Sequence, residues 1–123
     1  MLPKANRLKN RRHFAGVYRQ GIRHQTPHLT LRALGPAKLG IDPLSANAPP
    51  TKIGIVVSKK VDKRAVYRNR IQRQLRAKLR EYLPRIPNGW RLAIVVRPGT
   101  KPCQSNEFIP ELERLLSKIA DKH

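Results

Sequence analysis

Two short β-branched runs, Lys52 to Ser58 (KIGIVVS) and Trp90 to Val96 (WRLAIVV), bracket a long helical pattern from Arg64 to Leu83. Both runs are apolar at successive positions, as expected of a central strand buried on both faces. A helix between two strands carries the chain back across a sheet, so the strands are expected to lie parallel. Pro84 and Pro87 end the helix, and Arg97-Pro98-Gly99 ends the second run. This βαβ unit restricts the fold to one sheet with helices against it, an α/β (α+β-like) arrangement.

The flanking segments fit the same frame. A helix is expected from Asn10, a good N-cap, to Gln20, with Gly21 as its stop, and Phe14, Val17 and Tyr18 share one face. In His28 to Leu34, the apolar residues Leu29, Leu31 and Ala33 alternate with His28, Thr30 and Arg32, which predicts a half-buried strand with a polar face. Gly35 to Thr51 carries Pro36, Pro43, Pro49 and Pro50 without periodicity and reads as a long, mobile surface loop, a tolerated insertion. A last helix runs from Asn106 to Ala120, with Pro110 placed in its first turn and a stripe of Leu112, Leu115, Leu116, Ile119 and Ala120 facing the sheet. No internal repeat is visible, and 123 residues suffice for a single domain spanning 1–123.

The central helix has two unlike faces. Ile71, Leu75, Leu79 and Tyr82 fall within one narrow arc, while Asn69, Arg73, Arg76 and Arg80 fall directly opposite. By angle Arg68 belongs to the apolar side, and its placement stays open. Arginine dominates, and its planar fork both grips phosphate oxygens and stacks on bases. A merely solvated face would need acids one turn away, and within the helix only Glu81 is available. The whole chain carries 27 Lys and Arg against 7 Asp and Glu, a formal charge of +20. Self-repulsion on that scale calls for a polyanion, and nucleic acid supplies one through counterion release. Up to Asn106 there are only three acids (Asp42, Asp62, Glu81), whereas Glu107, Glu111, Glu113 and Asp121 gather at the C-terminal end. The last helix therefore reads as structural, and the anion-facing surface lies elsewhere.

Other classes fare worse. No apolar run is long enough to span a bilayer, the helix's apolar stripe is too narrow for a membrane surface, and the first residues lack the apolar core of a secretory signal. A helix-turn-helix reader would need a positioning helix where a strand is expected. One cysteine, Cys103, permits neither an internal disulfide nor a multi-thiolate metal site, and a cytoplasmic location fits it. The carboxylates show no pattern that would converge on divalent ions, so no catalytic or metal-ligating residue is assigned. Glu107, Glu111 and Glu113 read as capping or solvated. His13, His24, His28 and His123 lack ligand spacing, and His24 and His28 read as flexible surface residues rather than a catalytic pair.

The string KKVDKRAVYRNRIQRQLR, with Arg68-Asn69-Arg70 at its centre, resembles the signature of the bacterial ribonuclease P protein subunit. NRLKNRRHFAGVYRQG, KIGIVVSKK and LAIVVRPG resemble the same family in the same order, so the likeness covers nearly everything but the proline-rich loop. The resemblance implies a mostly four-stranded sheet with a left-handed βαβ crossover. It implies removal of the 5′ leader from precursor tRNA, with a catalytic RNA subunit as the catalyst, Mg²⁺ bound mainly by that RNA, and no further protein partner. It places Lys59, Lys60, Arg68, Asn69, Arg70 and Arg73 at the ribonuclease P RNA; Arg64, Arg76 and Arg80 extend this set along the helix. Phe14 and Tyr18 match the aromatic pair of a leader-binding cleft floored by Thr30 and Arg32, although their spacing alone suits ordinary core. Two residues depart from the family's pattern: Gln72 stands where a basic residue is usual, and Asp62 where a glycine or neutral residue is common. The alternatives kept open are a non-catalytic RNA-binding protein such as a small ribosomal protein, and a stand-alone nuclease.

Overall fold

The structure, a computed structural model, describes residues 2–42 and 44–120. The expectations for Pro43, Asp121 and His123, and for the side chain of Ala120, fall outside the described residues.

Asn10 starts the first helix, α1 (Arg11–Gln20), by accepting the Arg12 amide at 2.8 Å, which satisfies one of the orphan donors of a helix start. Gly21 closes it, donating its N–H to the Val17 carbonyl at 2.9 Å. A strand the sequence did not announce follows, β1 (Ile22–Gln25), paired antiparallel with β2 (Leu29–Leu34). β1 is mostly exposed, so its residues IRHQ carry no apolar alternation to read. The chain continues through β3 (Lys52–Val56), α2 (Ala65–Tyr82), β4 (Arg91–Val96) and α3 (Ser105–Ala120).

The four strands form one sheet in the order β1-β2-β4-β3. β3 and β4 are parallel, with Ile53 opposite Leu92 and Ile55 opposite Ile94, which gives the expected βαβ unit. One expectation is corrected here: β3 is an edge strand, not a central one. Its apolar character reflects cover on its faces, and the N-terminal segment shields its outer edge. Leu8 donates its N–H to the Ile53 carbonyl at 3.0 Å, and the Asn6 amide reaches the Thr51 carbonyl at 2.8 Å.

The two faces of the sheet are covered unequally. On one, Leu29, Leu31, Ile53, Leu92 and Ile94 meet Ile71, Leu75 and Leu79 of α2 and Phe108, Leu112, Leu115 and Leu116 of α3. Burying each such side chain contributes roughly 1.5–3 kcal/mol, so this layer holds the fold together. On the other face a small cluster of Leu8, Val17, Leu34 and Ala93, with Phe14 against it, docks α1. Gly54 makes this docking close: a Cβ there would run into the Phe14 ring.

Further corrections concern single residues. α3 begins at Ser105, so Pro110 lies inside the helix rather than in its first turn, and it cannot donate to the Asn106 carbonyl. Thr30, expected on a polar face, is buried, while Arg32 is half-buried. His28 and Glu111, both read as surface groups, are paired across the sheet's end. His28 Nδ1 lies 2.6 Å from Glu111 Oε2, and the His28 N–H donates to Oε1 at 2.9 Å. Burial pushes the Glu111 carboxyl up, but hydrogen bonds from His28 and Thr26 outweigh it and hold the group below its ordinary value. His24 is half-buried on β1. Within the proline-rich segment, Pro36–Leu39 forms a 3-10 turn, and Gly40 follows with φ 70°, a left-handed conformation that glycine adopts without penalty. Thr51 closes the segment, donating to the Pro87 carbonyl at 2.5 Å.

Candidate nucleic-acid interface

The turn before α2 is organised by one acid. The Asp62 side chain is only 5% exposed; it accepts from the Arg64 amide at 2.9 Å and from Arg64 Nε at 3.1 Å, with Lys101 Nζ at 3.8 Å. The Arg64 hydrogen bonds hold the Asp62 carboxyl below the usual carboxylate range, and the same contacts raise Arg64 in return. Arg64 also lies over the Tyr67 ring at 4.0 Å, with Arg70 at 5.9 Å. Arg68, ambiguous by angle, folds back over this turn and donates to the Asp62 and Lys63 carbonyls at 2.9 Å each. Arg64 and Arg68 thus shape the helix start as well as adding charge to it.

Past that turn the outward face of α2 is open. Asn69, Arg70, Arg73 and Arg80 are exposed, and Lys59 and Lys60 are exposed in the approach to the helix. Arg76 is half-buried and donates to Gln72 Oε1 at 2.6 Å. Glu81, the acid that could have neutralised this face, binds Lys78 at 3.0 Å, and Lys78 also reaches Glu113 at 3.6 Å. These partners raise the Lys78 pKa. Among the described residues no carboxylate pairs with Arg70, Arg73 or Arg76.

The second surface lies on the α1 side of the sheet, next to the small core. Strand alternation puts Thr30, Val95 and Val56 in one row on that face, beside the row of Arg32, Ala93 and Gly54. Tyr18 is 39% exposed at its rim, and the Arg32 guanidinium sits 5.0 Å from the Tyr18 ring centroid. Phe14 is half-buried and packs against the small core. Sequence reasoning missed Arg23 and Gln25, which extend these rows onto β1 opposite Arg32 and Thr30. No alternation in this exposed segment signalled them. His13, on the same helix, has its pKa lowered by burial and by Arg91 and Lys52.

Among the described residues no group of three or more His, Cys, Asp and Glu side chains could hold a metal ion, and no helix is long and apolar enough to cross a membrane. The ribonuclease P family model matches residues 2–120. The chain belongs to the ribonuclease P family. Its similarity to a ribonuclease P protein component from a Nostoc species is 44% identity, covering 99% of this chain and 96% of that one. To one from a Cyanothece species it is 46% identity, over 100% and 98%. The fold matches that of the ribonuclease P protein from Staphylococcus aureus with a TM-score of 0.69 at 20% identity, over 97% and 94% of the two chains. It also matches the Thermotoga maritima protein in complex with 1-(4-fluorophenyl)-2-thiourea, with a TM-score of 0.67 at 24% identity, over 92% and 99%. The chain is accordingly the protein subunit of ribonuclease P, an endoribonuclease of tRNA processing, and its partner is an RNA.

Proposed function

We propose that this subunit grips ribonuclease P RNA with the outward face of α2 and holds the 5′ leader of precursor tRNA in the groove beside α1. The observation that carries the reading is the run of α2 guanidiniums facing outward while the nearby acids are engaged elsewhere, Asp62 by Arg64 and Lys101, and Glu81 by Lys78. Phosphates approaching that face meet donors in fork geometry, and each one neutralised releases counterions. Lys59, Lys60, Arg70, Arg73, Arg76 and Arg80 supply charge, and Asn69 a neutral donor. Arg64 and Arg68 contribute from a fixed helix start. In the groove, Tyr18 and the open side of Phe14 stack on leader bases without demanding sequence, with Thr30 and Arg32 as the floor.

In this reading the chain works as one RNA-binding domain in the cytoplasm and needs no further protein partner. The RNA is the catalyst and holds most of the Mg²⁺, which would supply charge neutralisation and an activated water. The protein's share is to screen backbone repulsion and to position the leader.

Reconstitution tests this. Mixed with ribonuclease P RNA at low Mg²⁺, the chain should accelerate leader removal from precursor tRNA. No acceleration, or cleavage by the protein without RNA, would overturn the reading.

A further inference from the structure

On the α1 side of the sheet a third row, Leu34, Arg91 and Lys52, lies beyond the row of Arg32, Ala93 and Gly54. The Phe14 ring sits over Gly54 and the Arg32 guanidinium over the Tyr18 ring, so α1 follows the middle row. It thereby separates this third row from the row of Thr30, Val95 and Val56. Arg91 and Lys52 are register partners in β4 and β3, which sets two cations side by side on one face. His13 of α1 completes the group: burial first, then Arg91 and Lys52, lower its pKa.

Like charges opposite each other on a sheet repel. Among the described residues no carboxylate pairs with His13, Lys52 or Arg91. Asp42, in the neighbouring loop, accepts from the Leu44 amide at 3.0 Å. Backbone contacts fix the surroundings. The Lys52 N–H donates to the Trp90 carbonyl and the Gly89 N–H to the Pro49 carbonyl, each at 2.9 Å. Beside Lys52 and Arg91 these contacts leave a cavity of about 70 Å³ walled by Ile41, Pro49, Pro50 and Trp90. Sites for whole small molecules span roughly 300–1,000 Å³, so this one suits a phosphate group and excludes a base.

We propose that His13, Lys52 and Arg91 form a phosphate site for RNA in which His13 takes up a proton as the phosphate seats. The site rests on the RNA-binding role proposed above, yet it uses neither the outward face of α2 nor the groove beside α1. In the free chain the two cations disfavour a charged imidazole. A phosphate offsets them, and the protonated ring gains a second donor toward it. Binding here therefore strengthens as the pH falls through the His13 range, whereas Lys and Arg contacts keep their charge throughout.

Imidazole NMR of the full-length chain tests the site with sulfate, a tetrahedral anion whose charge is constant over this range. Sulfate should move the His13 titration to higher pH than chloride does at equal ionic strength. In the Lys52→Gln, Arg91→Gln double variant the two salts should act alike. RNA affinity should rise about tenfold more between pH 8 and pH 5.5 in the native chain than in His13→Gln, the size of an ordinary coupling between sites. Running this separately with ribonuclease P RNA and with precursor tRNA shows which of them supplies the phosphate. Equal action of sulfate and chloride on native His13, or the same pH dependence in His13→Gln on both RNAs, would overturn the site. Normal leader cleavage with an unresponsive His13 rejects this site alone, whereas a native chain that neither binds RNA nor supports cleavage rejects the role beneath it.

Discussion

The two faces of the one sheet are finished differently. On the α2 and α3 side Leu29, Leu31, Leu92, Ile94, Ile71, Leu75, Leu79, Phe108 and Leu112 are all fully buried. On the α1 side the shared core shrinks to Leu8, Val17, Leu34 and Ala93, and an aromatic ring stays 39% exposed at Tyr18. The closed face carries the stability. Charge is divided in a similar way. Glu111 and Asp62 are buried in internal contacts, whereas Arg70, Arg73 and Arg80 of α2 are exposed.

Substitutions can break this contrast, the largest effect first. Phe108→Ala, on the closed face, should cost about 3–5 kcal/mol in urea unfolding. Glu111→Ala should cost about 3 kcal/mol, since it leaves the His28 amide without its partner. The pKa of Glu111 is lowered in the folded chain, so its stabilising contribution is complete above its ordinary 4.5 and fades as the pH falls through the lower folded value. Unfolding measured against pH should therefore show an acid limb that Glu111→Gln flattens. Phe14→Ala should cost about 1–2 kcal/mol, less than a fully buried aromatic, and should weaken binding of precursor tRNA more than of mature tRNA. Equal losses on the two RNAs would make Phe14 core alone. Arg73→Ala should leave stability within about 0.5 kcal/mol and lower the salt slope of RNA binding by roughly one. Arg73 sharpens the comparison better than Arg68, whose removal would also strip two carbonyls of their donor.

Much of this was legible because it is periodic. The two faces of α2, the stripe on α3 and the Asn10 cap each follow from spacing within one segment. β1 was not legible, because an exposed edge strand needs no apolar alternation and takes its register from β2. The lateral place of β3 was hidden for a related reason: cover from the N-terminal segment and cover from a neighbouring strand demand the same residues. Of the site, the helix arginines could be read in sequence because their face is set by angle. The His28–Glu111 pair could not, since its members stand far apart in the chain and meet only when α3 docks. Asp62 drew notice as an acid among cations, yet its grip on Arg64 depends on the backbone of the turn.

The bare backbone at Gly54 sets a clearance. With nothing between strand and ring, Phe14 settles directly on the sheet and brings α1 with it. Any larger residue would act as a shim, lifting the helix off the strand before it touched the main core. How closely α1 can sit on the sheet is therefore governed by a single absent methyl.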